Sequence, residues 1–316
     1  MVTLDTAPTG DAATAADGQT RAAADRTGTA DTADEQARAA AAAAGVTIRE
    51  ISGDDDFQAM HRLFDRIWRP DPANQPVTAV LLRAFSKADN YVAGAYDGTE
   101  LVGACVAFFG PPAQATMHSH ITGVTAGGGR RAVGFALKTH QRGWALRRGL
   151  RTISWTYDPL VARNSYFNVA KLAATPAEYL TNFYGGMNDG LNGADDSDRL
   201  LVSWDLAAPA VEAACGGRPA VRTVEPELRR GAVVGLGRTE DGRPAPGDLD
   251  GADGRTVLVA VPPDIETLRR TEPAVAHAWR LAVRGTLGTL MAGGRRVAGF
   301  DRAGWYVLTE GNDGNP

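Results

Sequence analysis

Most of the chain from Val46 onward places apolar residues either at every second position or at helical spacing. Alternation predicts half-buried strands, and recurrence every three to four residues predicts amphipathic helices. Up to Leu206 the pattern predicts strands over 46–51, 91–96, 100–109, 116–124, 152–157 and 200–206. It predicts helices over 54–69, 77–86, 132–148 and 164–172. The order β-α-α-β-β-β-α-β-α-β indicates a mixed α/β architecture.

The two ends of the chain differ from this central part, 46–206. Residues 1–45 are rich in Ala, Thr, Asp and Gly and contain no aromatic residue, so they predict a disordered tail in which 37–44 can be helical. Residues 207–253 are rich in Pro, Gly and Arg; beyond them the pattern predicts a strand, a helix broken at Pro273 and a closing hairpin. Residues 207–316 therefore form either a small second α+β domain or an extension of the first sheet.

Composition and charge narrow the class of protein. The net charge of −4 gives no basic excess, so nucleic acid is not an expected partner. Cys105 and Cys215 make neither a disulfide framework nor, alone, a zinc site. The sequence has no apolar run of the roughly 18–20 residues that a membrane span needs. Its N-terminus has no basic segment followed by an apolar one, the pattern of a secretory signal. We therefore expect a protein of the reducing cytoplasm that does not use a membrane.

A glycine-rich turn joins the predicted strand that ends at 124 to the predicted helix that begins at 132. Three glycines stand at 127–129, and Gly134 lies in the first helical turn. Glycine lets the backbone approach a ligand, and the first N–H groups of a helix have no internal partner, so the turn is typical of a phosphate site. A Walker loop would need a lysine where Phe135 stands, and a Rossmann fingerprint a glycine where Ala132 stands.

The stretch Arg131-Ala132-Val133-Gly134-Phe135-Ala136 resembles the acyl-CoA loop of the GNAT superfamily of N-acyltransferases, Arg/Gln-x-x-Gly-x-Gly/Ala. The resemblance implies a GNAT fold, an α/β fold whose mixed, mostly antiparallel sheet splays between strands 4 and 5, with flanking helices and here a C-terminal α+β extension. It also implies an acyl-CoA co-substrate, whose pyrophosphate would bind the loop and whose pantetheine arm would enter the splay. The residues implied at the CoA site are Val124, Arg130, Arg131, Ala132, Val133, Gly134, Phe135, Ala136 and Asn164.

The stretch from Trp155 to Arg199 is dense in polar and aromatic residues. It resembles a subgroup of bacterial and archaeal GNAT proteins with extended C-termini that are found beside N-succinylamino-acid racemases. The resemblance implies transfer of an acetyl or succinyl group, from acetyl-CoA or succinyl-CoA, to the amine of a small molecule or amino acid. The candidate substrate-binding residues are Trp155, Asp158, Arg163, Asn168 and Arg199.

These candidates also have structural interpretations. Arg163 and Arg199 can bind a carboxylate by bidentate pairing, or can form ion pairs with Asp158 or Asp198. Asp158 follows a strand end and precedes a proline, so it can also cap a turn. Asn168 can fix either substrate or a loop.

Acyl transfer to an amine needs a base that keeps the amine neutral, donors for the oxyanion, and substrates held close together. His118 and His120 alternate and so share one face of their strand; His120 is the candidate base, and hydrogen-bonded sheet histidines are the alternative. Many GNAT enzymes protonate the leaving thiolate with a helix tyrosine, but that place falls here near Val169. Tyr184 and Tyr166 are the candidates to replace it.

Two other functions stay open. The missing tyrosine is compatible with a non-catalytic acyl-CoA sensor, and an acidic or peptide-shaped groove would instead indicate a protein N-acetyltransferase. The two histidines have no evident third ligand, so no metal is expected. The sequence leaves a homodimer open.

Overall fold

The computed structural model describes residues 11–70, 75–125, 132–185 and 195–311, with side chains from Thr27 onward. Seven strands of its first half form one sheet in the order β1-β2-β3-β4-β5-β7-β6. They are β1 Thr47–Glu50, β2 Val92–Asp97, β3 Glu100–Phe109, β4 Thr116–Val124, β5 Thr152–Tyr157, β6 Thr175–Leu180 and β7 Arg199–Asp205. All neighbours are antiparallel except β4 and β5, which run parallel.

Helices cover both faces of this sheet. They are α1 Asp11–Ala44, α2 Asp54–Trp68, α3 Ala79–Lys87, α4 Val133–Arg147 and α5 Ala162–Ser165, the last continuing as a π-helical segment over Tyr166–Lys171. Apolar residues of α2 and α3 form one buried cluster with the sheet, and those of α4 pack into a second, larger one. The predicted fold class, a mixed and mostly antiparallel sheet with flanking helices, is confirmed.

The strand that the sequence pattern misses is β6, at the edge of the sheet. It contains Pro176 and buries only that residue, so it lacks the alternation that marks a half-buried strand. It pairs only with β7, and the pairing shifts register between Pro176 and Glu178.

The prediction of a disordered tail over 1–45 is wrong for residues 11–36, which form the helix α1 together with 37–44, the part expected to be able to form a helix. Ala30, Ala33, Ala37 and Ala40 are buried along one stripe of the helix and pack on α4. The two helix backbones lie in van der Waals contact: a Cβ added to Gly143 of α4 would lie 3.6 Å from the carbonyl carbon of Ala33 and would also meet the Asp34 side chain. Small residues bury little area each, but their shared stripe lets two helices approach, and composition alone does not register that.

Because α1 covers α4, the face of α4 that would otherwise meet solvent is buried. Arg142 is 1% exposed; its Nε donates to the carbonyl of Leu206 at 2.8 Å and its Nη1 to Oε1 of Gln36 at 2.8 Å. Arg147 pairs with Asp34, and Arg148 stacks on Trp144 at 3.8 Å.

The C-terminal part has its own five-stranded sheet in the order β11-β12-β10-β8-β9, so it does not extend the first sheet. Its elements are α6 Pro209–Cys215, α7 Val224–Arg229, β8 Val233–Arg238, β9 Pro244–Pro246, β10 Val257–Ala260, α8 Ile265–Thr271, α9 Pro273–Val283, α10 Thr289–Ala292, β11 Arg295–Asp301 and β12 Trp305–Glu310. Buried residues of both halves belong to one apolar cluster. Tyr306 links the halves: its hydroxyl bonds Oγ of Ser165 at 2.7 Å and the carbonyl of Pro159 at 2.9 Å. The domain boundaries 1–45, 46–206 and 207–316 stay a prediction.

Within the described ranges, no helix is both long enough and apolar enough to cross a membrane.

Candidate active site

The central sheet opens between β4 and β5. The two strands pair only from Thr116–Thr152 to His118–Ser154, although β4 continues to Val124 and β5 to Tyr157. Beyond the last pair, the facing strand edges have no partner across the gap. This is the splay that the sequence resemblance implied between the two strands.

The N-terminus of α4 lies at the open end of this gap. A Cβ added to Gly134 would lie 3.9 Å from both Cγ2 of Val124, the last residue of β4, and Cζ of Phe167. The N-cap residue Ala132 makes no side-chain cap hydrogen bond, and Ala136 N–H donates to its carbonyl at 2.9 Å. Among the described residues, no side chain caps the first-turn N–H groups, which point in the direction in which the helix dipole favours an anion.

The side chains of the predicted CoA loop divide into two groups. Val133 and Ala136 are fully buried and hold α4 against the sheet, while Gly134 and Phe135 stay partly exposed. The loop can thus contact a ligand chiefly through its backbone. Arg130 and Arg131 lie outside the described residues.

His118 and His120 lie on the face of the sheet that carries α2 and α3, and a β-bulge in β4 falls at His120. The β3–β4 pairing shifts between Ser119 and Ile121, so that His120 is the extra residue. His118 and His120 both lie beside Phe108 of β3, with ring centroids at 5.3 Å and 6.1 Å. Bulges commonly re-aim side chains at functional sites, and this one adjoins the start of the gap.

The two histidines differ in what they can do with a proton. His120 Nε2 lies 3.0 Å from the carbonyl of Pro76, and a carbonyl only accepts, so Nε2 carries the hydrogen and Nδ1 keeps a lone pair when the ring is neutral. His118 Nδ1 contacts Oγ of Ser154 at 3.2 Å. Burial, followed by the charges of His120 and Lys138, lowers the pKa of His118 to about 4. His118 is therefore a neutral hydrogen-bonding residue, and His120 presents an Nδ1 lone pair when its ring is neutral.

A buried polar cluster lies on the opposite face of the sheet, under α4. Lys138 is 3% exposed; its Nζ donates to Oγ of Ser119 at 2.8 Å and to Oε1 of Gln141 at 3.1 Å. It also lies 3.8 Å from the ring centroid of Trp155. Gln141 Nε2 in turn donates to the thiol of Cys105 at 3.2 Å. This cluster was not predicted, because polar residues of an amphipathic helix normally face solvent and no local pattern marks Lys138 as buried.

Trp155 and Asn168 form one wall of the gap rather than an acceptor pocket. The Trp155 indole N–H donates to Oδ1 of Asn168 at 3.2 Å, and both residues are buried. Asn168 thereby fixes the ring that covers Lys138. Asn164 is half-buried near the start of α5, where its backbone N–H donates to the carbonyl of Val161 at 2.9 Å.

Asp158 is a structural anchor. Its carboxylate accepts from Arg280 at 3.0 and 2.9 Å, from Arg269 at 2.5 Å, and from the backbone N–H of Leu160 at 2.9 Å. Burial alone would raise its pKa, but Arg280, whose side chain is fully buried, and Arg269 hold it well below the usual range. Of the two interpretations, the structure places Asp158 in a turn cap and an ion-pair network, not in an open pocket.

The two arginines proposed for a substrate carboxylate have different surroundings. Arg163 makes a bidentate pair with Glu266 of α8 at 2.5 and 2.6 Å, which raises the pKa of Arg163. The pair uses both Nη atoms, the donors that a ligand carboxylate would need for bidentate binding. Arg199 is 7% exposed; its Nη1 donates to the carbonyl of Asp198 at 2.9 Å, and its guanidinium lies 5.3 Å from the ring of Tyr184.

The two candidate tyrosines lie apart. Tyr184 is 46% exposed, and its hydroxyl is 2.9 Å from Oγ1 of Thr156, in the part of β5 that pairs with β7 but not with β4. Thr156 and Trp155 are adjacent in β5, so their side chains point to opposite faces of the sheet. Because Trp155 lies on the α4 face, Thr156 lies on the face that carries His118 and His120. Tyr166 instead lies under Arg302 of the β11–β12 turn at 4.9 Å, against the second sheet. The structure brings Tyr184 to the gap and Tyr166 to the C-terminal half.

The arginines and aspartates that hold this region together come from distant parts of the chain. Arg284 of the π-helical segment after α9 donates to Asp196 at 2.7 Å and to Asp198 at 2.9 and 2.6 Å. Asp198 also accepts from Tyr179 at 2.7 Å and from the N–H of Asn182 at 2.9 Å. The turn that carries Tyr184 is thus fastened to the C-terminal helices. Among the described residues, no group of three or more His, Cys, Asp or Glu could hold a metal ion.

Comparison with known proteins gives structural neighbours only. No family model and no curated protein matches this chain. An N-acetyltransferase from Staphylococcus aureus Mu50 is similar over 51% of this chain and 98% of its own, with 18% identity and a TM-score of 0.40. The ribosomal-protein-S18-alanine N-acetyltransferase from Escherichia coli is similar over 52% of this chain and 95% of its own, with 13% identity and a TM-score of 0.41.

A third neighbour is a putative acetyltransferase from Salmonella typhimurium whose structure contains acetyl-CoA. It is similar over 52% of this chain and 97% of its own, with 15% identity and a TM-score of 0.41. At such identities and TM-scores, the function of this chain has to be argued from the geometry of its own site.

Proposed function

We propose that this chain is a GNAT-type N-acyltransferase that moves an acetyl or succinyl group from CoA to the amine of a small molecule or amino acid. The observation that carries the proposal is the alignment of the uncapped α4 N-terminus with the open end of the β4–β5 gap. Such an arrangement offers backbone donors to a pyrophosphate and a slot between strands to an extended arm beyond it.

The two faces of the gap suit the two substrates. On the α4 face, one wall of the gap is formed by Trp155 and by Asn168 of the π-helical segment. Ser119, bonded to Lys138, lies at the closed end of this face. On the opposite face, His120 of β4 and Tyr184, which contacts Thr156 of β5, lie where β4 and β5 no longer pair with each other. An amine on this face, losing its proton to Nδ1 of His120, would attack a thioester carbonyl held in the gap. Backbone N–H groups on the unpaired edge of β4 would stabilise the oxyanion.

The acceptor is proposed to bind near Tyr184, with Arg199 beneath its ring. Succinyl transfer and an amino-acid acceptor rest on the subgroup resemblance of 155–199. The bidentate pair with Glu266 speaks against Arg163 as the carboxylate ligand, and the role of Arg199 stays a prediction.

Thiol release tests the proposal. The protein is incubated with acetyl-CoA or succinyl-CoA and a panel of amino acids and small amines, and free thiol and thermal stability are recorded. We expect thiol release that depends on both substrates, together with a thermal shift with CoA alone. A shift without release from any pair would favour the acyl-CoA sensor. The absence of both signals would contradict the proposal.

A further inference from the structure

Lys138 lies where β4 and β5 begin to part. His118 and Ser154 are the last paired residues, and Ser119 and Trp155 are the residues that immediately follow them. The Nζ of Lys138 touches both, at 2.8 Å from Oγ of Ser119 and 3.8 Å from the ring centroid of Trp155. The closed end of the gap on the α4 face is therefore capped by an ammonium group and a hydroxyl.

This ammonium is costly to bury. Lys138 is 3% exposed, and it forms no ion pair with any carboxylate among the described residues, in contrast to the buried Arg280. Its neighbours are instead the neutral oxygens of Ser119 and Gln141. Burying a cation without a counter-charge is unfavourable, and an apolar residue would fill the same space at lower cost. A chemical role for the proton accounts for keeping lysine here.

The hydrogen bond between the two residues has a fixed direction when Lys138 is charged. An ammonium only donates, so Oγ of Ser119 accepts from Nζ, and the hydroxyl hydrogen of Ser119 points away from Lys138. Besides Lys138, that hydroxyl contacts the thiol of Cys105, at a long 3.8 Å. Ser119 can thus present its proton at the closed end of the gap, with a second proton held behind it.

We propose that Ser119, with Lys138 as its positioning residue, is the acid that protonates the departing thiolate. The inference rests on the proposed acyltransferase function. As the amine nitrogen bonds to the thioester carbon and the carbon–sulfur bond breaks, Oγ of Ser119 gives its proton to sulfur and takes one from Nζ of Lys138. The proton lost by the amine goes to His120. Once the products leave, Lys138 regains a proton from water and His120 releases one to water.

The electrostatics of the cluster support this role. Burial lowers the pKa of Lys138 to about 8, and Cys105 acts in the opposite direction. The groups that face its Nζ are Cys105 on β3, Ser119 on β4, Gln141 on α4 and Trp155 on β5, with the neutral His118 across the sheet. An acid of that pKa is protonated at neutral pH and gives its proton up readily.

The test compares Ser119→Ala and Lys138→Met with Thr139→Ala, a control whose hydroxyl bonds only backbone carbonyls of its own helix. We expect Ser119→Ala to lower kcat about 10²-fold while the Kd for CoA, measured by calorimetry, changes less than about twofold. With an aryl thioester, whose thiolate leaves without a proton, the Ser119→Ala defect should disappear. The wild-type kcat should fall above about pH 8, and Lys138→Met should remove that fall.

Two results would overturn the inference. One is a Ser119→Ala enzyme whose kcat with acetyl-CoA stays within about threefold of wild type. The other is an equal defect with acetyl-CoA and the aryl thioester, because a structural lesion does not depend on the leaving group. If Lys138→Met does not fold, the kcat values of Ser119→Ala with the two thioesters test the inference by themselves, because this substitution removes one buried oxygen. A wild-type protein that neither binds CoA nor releases thiol would instead overturn the proposed function itself.

Discussion

Replacing Asp158 by asparagine removes one negative charge from the network that joins the two halves of the protein, and keeps the side-chain shape. In the wild type this carboxylate is 7% exposed and is the bidentate partner of Arg280, whose own side chain is fully buried. Arg269, also 7% exposed, donates to the same carboxylate. The substitution leaves Arg280 with one remaining carboxylate, that of Asp195 at 3.2 Å.

Removing one partner of a buried ion pair costs about 3–5 kcal/mol, because the other charge stays buried without compensation. The matched control is Glu266→Gln. It breaks the bidentate pair with Arg163, but the Arg163 side chain is 65% exposed. Exposed pairs contribute about 0.2–1 kcal/mol. Each of the two variants, Asp158→Asn and Glu266→Gln, removes one carboxylate charge next to an arginine. The structure predicts that the free energy of unfolding falls several-fold more in Asp158→Asn.

Urea unfolding followed by tryptophan fluorescence measures both variants against wild type. We expect Asp158→Asn to lose about 3–5 kcal/mol and Glu266→Gln less than about 1 kcal/mol. The depressed pKa of Asp158 gives a second readout: its stabilisation is complete above the unfolded value of about 3.9 and is lost as the pH falls below it. Acidification should therefore narrow the difference between wild type and Asp158→Asn. Equal losses in the two variants would refute the assignment of Asp158 as a buried anchor.

Two further predictions concern the sheet and the α1–α4 contact. Burial favours the neutral form of His118 and lowers its pKa to about 4, so its ring should show no NMR titration between about pH 8 and 5. The folded state keeps its full stability, as far as His118 is concerned, above the unfolded pKa of about 6.5 and loses stability as the pH falls from there toward the folded pKa. A midpoint near 6.5 would show that the ring is solvated. Gly143→Leu should push α1 off α4 at a cost of about 1–3 kcal/mol, so trypsin should cut at the exposed Arg38 about tenfold faster than in wild type. Unchanged cleavage, equal to that of a Gly285→Ala control, would contradict the close contact.

Local sequence pattern was sufficient for the parts of the site that depend on strand order and on glycine. Residues 116–124 and 152–157 were predicted as strands and have these bounds in the structure. Gly134 lies in the first turn of α4, where an added Cβ would lie 3.9 Å from Val124 at the end of β4. These features follow from alternation and from the short connection between strand and helix, which the chain specifies locally.

The rest depends on contacts between distant segments. Asp158 finds Arg280, which lies 122 residues away, and no local spacing indicates such a pair. Lys138 is buried because its helix lies between the sheet and α1, a helix that composition suggested would be disordered. Tyr184 reaches Thr156 because its turn is fastened by Asp198 and the C-terminal arginines. Each of these depends on tertiary packing that neither periodicity nor residue type records.

Calorimetric titration with acetyl-CoA tests the central claim most directly, using variants of Gly134. The helix start leaves room for a side chain there, since an added Cβ would keep 3.9 Å from its nearest neighbours. Gly134→Glu places a carboxylate where the pyrophosphate is expected, yet an acidic residue near a helix N-terminus favours the helix. Gly134→Gln controls for bulk.

If acyl-CoA binds between the α4 N-terminus and the β4–β5 gap, wild type should bind one equivalent. Gly134→Gln should weaken binding, and Gly134→Glu should abolish it while melting at no lower temperature than Gly134→Gln. Wild-type binding that Gly134→Glu leaves unchanged, or no binding of any CoA ester by wild type, would contradict the account.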